Sequence, residues 1–312
     1  MKKHIPGAVI TAVIVLFTLY ALLDTFVISR EMGVADAENY DRSLFESGSR
    51  GSDDTDPGQP DEESRYFTSE PVITDSSYSD EHIYIKIDTV RIYDTAVYVA
   101  DVRVSSAEYL KTALAKDRYG RNITDETSDI AKAHNAILAV NGDFYGARER
   151  GYVIRNGVLY RSGSGRNEDL VIYPDGSFQI INERSTTAKS LEEANAWQVL
   201  SFGPALVTGG EISVGKNEEV AQSMASNPRT AIGIVDDLHY LFIVSDGRTS
   251  ESAGLSLYEL AMYMQSLGAT TAYNLDGGGS SAMYFCGKIL NNPTTSGSTI
   301  SERSVSDIVY IG

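Results

Sequence analysis

The residues with the most chemistry in their spacing are Asp276-Gly277-Gly278-Gly279-Ser280-Ser281, which follow the apolar stretch Thr271–Leu275. Three glycines in a row lose much backbone entropy on folding. They fit where the chain turns with positive φ or where another group must approach bare backbone. A carboxylate before them and two hydroxyls after them make a polar, ligand-contacting loop. Two other apolar stretches end the same way. Ala139-Val140 leads into Asn141-Gly142-Asp143, and Phe242-Ile243-Val244 into Ser245-Asp246-Gly247-Arg248. An isolated Asp-Gly is a routine turn. Three of them, each at a strand end, predict acids converging at one sheet edge. Arg155, Arg229, Arg248 and Arg303 lie in or near these segments. Their planar guanidinium groups suit bidentate capture of phosphate or carboxylate.

The elements that would carry these loops read as follows. His82–Ser105 alternates in β-branched and aromatic residues and predicts two or three strands. Ala107–Lys116 reads as a short helix, and Thr127 or Ser128 as the cap of a second one running to Asn135. Ala136–Val140 is a buried strand. Asn156-Gly157 predicts a hairpin over Val153–Tyr160, and Pro174-Asp175-Gly176 another over Leu170–Ile181. Ser190–Asn195 reads as helical. Thr230–Val235 and His239–Ser245 read as paired strands. Ser256 with Glu259 three residues on predicts a capping box for a helix that stops at Gly268. Strands outnumber helices and do not alternate with them, so the expected class is α+β with a mixed or antiparallel sheet core and a few helices.

Ahead of this lies a different kind of sequence. Met1-Lys2-Lys3-His4 precedes an uncharged run from Ile5 to Leu23, long enough as a helix to span roughly 28 Å. Lysines before the run predict a cytoplasmic N-terminus and the rest of the chain outside. The small-x-small triplet Ala35-Asp36-Ala37 lies too far along for a cleaved signal peptide. The expectation is a single-pass membrane anchor over 1–30 and an extracytoplasmic domain. Residues 31–82 carry fifteen acids against three bases, most of the net charge of −17. They read as a disordered, self-repelling linker that holds the domain away from the membrane. Residues 83–312 then form one sizeable domain. The lone Cys286 excludes an intrachain disulfide and a multi-cysteine zinc site.

The ordered set Asn141-Gly142-Asp143-Phe144-Tyr145, Gly151–Gly157, Asn227-Pro228-Arg229-Thr230-Ala231-Ile232-Gly233, Ser245–Arg248, Gly254-Leu255-Ser256-Leu257, Asn274–Ser281 and Glu302-Arg303-Ser304-Val305 resembles the phosphodiester glycosidase family. The resemblance runs over nearly all of Ile83–Gly312. One departure is Asp307, where members of the family often carry Asn. The resemblance implies a polar pocket and cleavage of the sugar C1–O bond of a sugar-1-phosphodiester, in cell-envelope or exopolysaccharide glycans. The leaving phosphate monoester needs charge neutralisation more than protonation, a role that falls to Arg229 and Arg248, with Arg303 a third candidate. Asp276 is the first choice for the carboxylate that acts at the anomeric carbon, Asp143 the second, and Asp246 a positioning group. Backbone N–H groups of Gly277, Gly278 and Gly279 would approach the phosphate. Arg155, Ser280, Ser281, Asn141 and Asn274 complete the expected substrate contacts, with Phe144 and Tyr145 available to stack on a sugar ring.

Two alternatives stand beside this reading. The aspartates suit a hard cation such as Ca²⁺ or Mg²⁺, which would make the chain a metal-dependent phosphodiesterase that cuts P–O. A non-catalytic module that binds glycopolymer is the other. No Lys follows the glycines, so a P-loop is excluded. No Gly-x-Ser-x-Gly elbow appears, and no basic stretch suits nucleic acid.

Overall fold

The computed structural model describes residues 7–34, 43–45, 65–218 and 226–312. Among these residues every strand pairing is antiparallel. A nine-stranded sheet forms the frame. It runs in the order Glu211–Ile212, Ala205–Thr208, Thr271–Asn274, Arg229–Asp236, His239–Ser245, Thr95–Val104, Ile83–Ile92, Ser77–Ser79 and Val72–Ile73. Both faces of its centre are buried, which explains the near-continuous apolar run of Thr95–Val104. Val97 and Val99 point to the side covered by the helix Leu257–Ser266, where they meet Leu257, Leu260, Ala261 and Met264. Ala100 and Val102 point to the other side, against Leu138, Val140, Leu170 and Val309 of two five-stranded sheets.

The first of these smaller sheets runs Lys288–Ile289, Met283–Phe285, Leu138–Asn141, Asp307–Ile311, Leu110–Leu114. The second runs Val158–Arg161, Val153–Arg155, Gln198–Leu200, Glu168–Ile172, Phe178–Asn182. Register brings the strand ends of interest together. Arg229 pairs with Ser245 and Ala231 with Asn274, so Arg229, Asp246 and Asp276 leave the large sheet at the same end. Ile308 pairs with Asn141, which sets Asp307 beside Gly142.

Several local expectations hold for the physical reasons given. Asn156 and Gly157 both have positive φ, 49° and 78°, as a type I′ turn requires. Ser256 and Glu259 form the reciprocal capping box.

Others are corrected. Residues 107–116 are not a helix. After a single turn at Ala107–Tyr109, Leu110–Leu114 is a strand paired along its whole length with Asp307–Ile311. Neither Thr127 nor Ser128 caps the helix Thr127–Ala133. Both lie inside it, and the Ser128 N–H is satisfied by the Glu302 carboxylate, 3.0 Å away.

The segment 31–82 is not one linker, because Val72–Ile73 and Ser77–Ser79 extend the large sheet and Phe45 packs edge-to-face on Trp197. Its expected disorder over 35–42 and 46–64 lies outside the described residues.

Near the N-terminus, Gly7–Phe26 is a 20-residue helix with exposed apolar side chains on all sides, among them Val9, Ile14, Phe17 and Leu22. Side chains of this helix are described over 9–25, and among the described residues no helix is long and apolar enough to cross a membrane.

The capping box gives a direct check on the frame. Ser256→Ala removes the side-chain acceptor of the Glu259 N–H and is expected to lower stability by about 1 kcal/mol. A denaturant titration should show a lower midpoint with unchanged slope. An unchanged midpoint would mean that this helix end is held by packing alone.

Candidate active site

Two groups of side chains meet where these strands end, one buried and one reachable from solvent. The buried group centres on Arg155, at the end of Val153–Arg155. Its Nη2 lies 2.8 Å from Asp143 Oδ1 and 2.8 Å from Asp307 Oδ2, and its Nε donates to Asp307 Oδ2 at 2.9 Å. Nη1 donates to the carbonyls of Ile154 and Val199. All three side chains are 2% exposed or less. Asp143 also accepts from the backbone N–H groups of Tyr145 and Ser201. Burial alone would raise its pKa, but Arg155 and the Ser201 N–H outweigh it and hold the carboxyl below its ordinary value. Asp307 differs. Burial and the charge of Asp143 outweigh Arg155 and push it up to about 7. Its Oδ1 has no hydrogen-bond partner among the described residues. Gly142 has a steric reason, since a Cβ there would sit 2.1 Å from Asp307 Oδ1.

The second group lies on the Gly-rich loop and its neighbours. Arg303 donates from Nη2 to Asp276 Oδ2 at 3.0 Å and from Nε to Ser280 Oγ at 3.0 Å. Asp276 Oδ1 accepts from the Gly277 N–H. Burial raises the Asp276 pKa against the opposing pull of Arg303 and Ser280. Arg248 is held by Asn227 Oδ1 at 3.0 Å and by the Thr295 carbonyl at 2.6 Å. Its pKa is lowered by burial and by nearby Arg303, so two guanidinium groups crowd one spot. Gly278 has φ of 62°, and a Cβ there would meet Arg248 Nη2 at 2.8 Å. This glycine lets the loop lie against the guanidinium. The side chains of Arg303 and Asp276 are 41% and 13% exposed, so a ligand can reach them.

The two groups are stitched together through backbone. The Asp276 N–H donates to the Gly142 carbonyl at 3.3 Å, and Asn141 Nδ2 to the Asp276 carbonyl at 2.6 Å. The three acidic loops do converge, but they divide into different tasks. Asp143 is enclosed and cannot touch a substrate. Asp246 accepts from Asn292 N and Nδ2, and so positions the loop whose Thr295 carbonyl holds Arg248.

Several expected substrate contacts are corrected. Arg155 is committed to two carboxylates and two carbonyls. Arg229 is buried at 2% exposure, with its N–H on Ser245 Oγ and Nε on the Leu255 carbonyl. Asn141 accepts from Thr230 Oγ1 and donates to Asp276, and buried Asn274 donates to the Gly203 carbonyl. The N–H groups of Gly277 and Gly278 are used within the fold, by Asp276 and Pro228. Gly279 is buried against Thr295 and Ser281 is buried, whereas Ser280 carries Arg303. Tyr145 is buried and stacks on Tyr119, while Phe144 stays 42% exposed with a strained φ of 68°.

The acids do not assemble as a cation site: among the described residues no group of three or more His, Cys, Asp or Glu side chains could hold a metal ion. Between Asp143 and Asp307, the place of a cation is filled by Arg155. Sequence reading also missed Asp169, buried beside Glu183. Burial and that charge push its pKa to about 9. Its only signal was a carboxylate within a strand pattern.

The state of Asp307 sets a pH dependence. Its folded value of about 7 lies above the ordinary 3.8. The stability it confers is therefore complete below about pH 4 and is lost as pH rises through 7. Asp307→Asn removes one of two like charges that share Arg155. Thermal unfolding should show it more stable than the parent at pH 8, on the order of 1 kcal/mol, with the gain shrinking toward pH 4. A loss at pH 8 would mean that the Arg155–Asp307 attraction outweighs the repulsion.

Residues 134–312 match the family model described as phosphodiester glycosidase. The chain is 30% identical over 182 residues to the SPbeta prophage-derived uncharacterized protein YomE of Bacillus subtilis (strain 168), a match that covers 56% of this chain and 28% of that protein. It is 27% identical over 183 residues to the N-acetylglucosamine-1-phosphodiester alpha-N-acetylglucosaminidase of Mus musculus, covering 53% of this chain and 35% of that one. The chain thus matches about a third or less of the length of these curated relatives. Among solved structures it is similar to the catalytic domain of the zebrafish N-acetylglucosamine-1-phosphodiester alpha-N-acetylglucosaminidase, auto-inhibited by its pro-peptide. There the TM-score is 0.58 at 20% identity, over 73% of this chain and 82% of that one. A hypothetical protein from Synechocystis gives a TM-score of 0.56 at 16% identity, over 74% of this chain and 62% of that one. These two likenesses are of fold. The family model spans more than half of the sequence, including every loop of the site from Asn141 to Asp307, and the chain belongs to the phosphodiester glycosidase family.

Proposed function

We propose that this chain hydrolyses the glycosidic C1–O bond of a sugar-1-phosphodiester. The observation that carries the reading is the pairing of one reachable carboxylate, Asp276, with two adjacent guanidinium groups, Arg303 and Arg248. A phosphate monoester is a stable anion at neutral pH and leaves without a general acid. One carboxylate therefore suffices, provided that cations take up the developing charge. In this reading Arg248 and Arg303 hold the phosphate. Asp276, with its raised pKa, acts as base toward the water that attacks C1. The water oxygen bonds to C1, the C1–O bond breaks with its electron pair going to phosphate, and a proton passes from water through Asp276 to solvent. Asp143, Arg155 and Asp307 stand behind this group and fix the loop that carries Asp276.

Membrane attachment is part of the proposal. The apolar side chains exposed around residues 9–25 of this helix are what a helix surrounded by lipid presents. Lys2 and Lys3 ahead of it favour an extracytoplasmic domain, where glycosyl phosphodiesters of the envelope or of exopolysaccharide are within reach. A P–O-cutting metal enzyme has less support, because guanidinium groups sit where its cations would.

Steady-state kinetics on an N-acetylglucosamine-1-phosphodiester test the roles. Asp276→Asn should lower kcat roughly a thousand-fold. Arg303→Ala and Arg248→Ala should each lower kcat/KM about a hundred-fold. All three should keep the parent's circular dichroism spectrum. An Asp276→Asn protein of near-parent activity would overturn the assignment.

A further inference from the structure

The segment that follows the N-terminal helix turns back onto the domain. Arg30–Glu31 pairs antiparallel with Gly120–Arg121, and the Met32 N–H donates to the Tyr119 carbonyl at 3.1 Å. Glu31 and Arg118 form an ion pair at 2.8 Å. Asn122 then caps the helix end from a distance. Its Nδ2 donates to the carbonyls of Thr25 at 3.1 Å and Ile28 at 3.2 Å, and Ser29 Oγ donates to the Asn122 carbonyl at 2.8 Å. The last carbonyls of a helix lack partners within it, so a remote amide that supplies donors fixes the helix end. The Asn122 N–H donates to the Gly146 carbonyl at 3.3 Å, and Gly146 lies in the turn that follows Asp143 and Phe144. Asn122 and Gly146 thus connect the helix end to the loop that carries Asp143, beside which the Asp276 N–H donates to the Gly142 carbonyl. Arg30–Met32, which directly follows the helix, is paired with the domain and is not a free spacer.

We propose that this clamp seats the domain directly on the membrane, and that the substrate is a glycosyl phosphodiester whose aglycone is a lipid of that membrane. The inference rests on the glycosidase reading above. A lipid-borne phosphodiester presents its phosphate at headgroup depth, and the hydrogen bonds that run from the helix end through Asn122 and Gly146 to the Gly142 carbonyl and Asp276 hold the site close to where the helix ends. A polymer-borne substrate, farther out, would be better served by a long free tether. Phe144, exposed and held at positive φ on the same loop, is an apolar ring of the kind that inserts at the acyl boundary of a membrane surface. Hydrolysis as written above would leave a free sugar and a lipid phosphate monoester.

The test uses the full chain reconstituted in vesicles of phosphatidylethanolamine and phosphatidylglycerol. Two substrates share one N-acetylglucosamine-1-phosphate head, one on a polyprenyl chain in the same vesicles and one on a short soluble alkyl group. The lipid substrate should turn over at least about ten-fold faster at equal bulk concentration, because both partners share one surface. Asn122→Gly keeps the φ of 54° open to this position and loses both amide bonds to the helix end. It should reduce that preference several-fold and leave the soluble rate unchanged, which also shows that the variant is folded. Equal rates on the two substrates, or a preference untouched by Asn122→Gly, would overturn the inference while leaving the glycosidase reading intact. Hydrolysis of neither substrate would overturn both.

Discussion

One buried cation organises the site. Arg155 joins three strands from two sheets, through Asp143 after Leu138–Asn141, Asp307 at the start of Asp307–Ile311, and the Val199 carbonyl within Gln198–Leu200. A charge taken this far from water is tolerated only with a partner in place: removing Arg155 would leave two buried carboxylates uncompensated, and breaking a buried pair in that way typically costs about 3–5 kcal/mol. Two carboxylates for one guanidinium leave an excess negative charge, and the fold places that excess on Asp307, whose pKa rises to about 7. The geometry of Gly142 follows from this crowding, and through the Gly142 carbonyl so does the placement of Asp276.

The site works by separation of tasks. Groups that could all have been ligands are sorted by burial into a frame and a working face. Asp143, Arg155, Arg229, Asn141 and Asn274 are buried and bond to one another, to Thr230 or to backbone. Asp276, Arg248 and Arg303 meet where solvent reaches them, in a cluster where each cation is also oriented by a neutral acceptor, Asn227 or the buried Ser280. That arrangement leaves the guanidinium charge less than fully neutralised, which suits an anion that arrives and then gains charge. The same logic extends to the N-terminus, where Asn122 links a helix end to the buried Asp143 loop.

Much of the frame was legible because its signals are local. Asn156-Gly157 carries the positive φ of its turn in its own residue types, and Ser256 with Glu259 is a capping box in any context. The convergence of the three loops that set an acid beside a glycine was also legible, because each followed an apolar strand. What could not be read depends on distant partners. Leu110–Leu114 is composed largely of helix formers, and it is a strand because Asp307–Ile311 lies beside it. Arg155 and Arg303 look alike in sequence, and burial alone separates a structural cation from a ligand-binding one. Arg30–Glu31 carries no strand signal, and its partner lies some ninety residues away.

The central claim is that water attacks carbon and not phosphorus. Hydrolysis of an N-acetylglucosamine-1-phosphodiester in water labelled with heavy oxygen, followed by mass spectrometry of both products, tests it directly. The account predicts the label in the sugar and none in the phosphate. Label in the phosphate would contradict it, and would return the arginines and Asp276 to a phosphodiesterase that cuts the P–O bond.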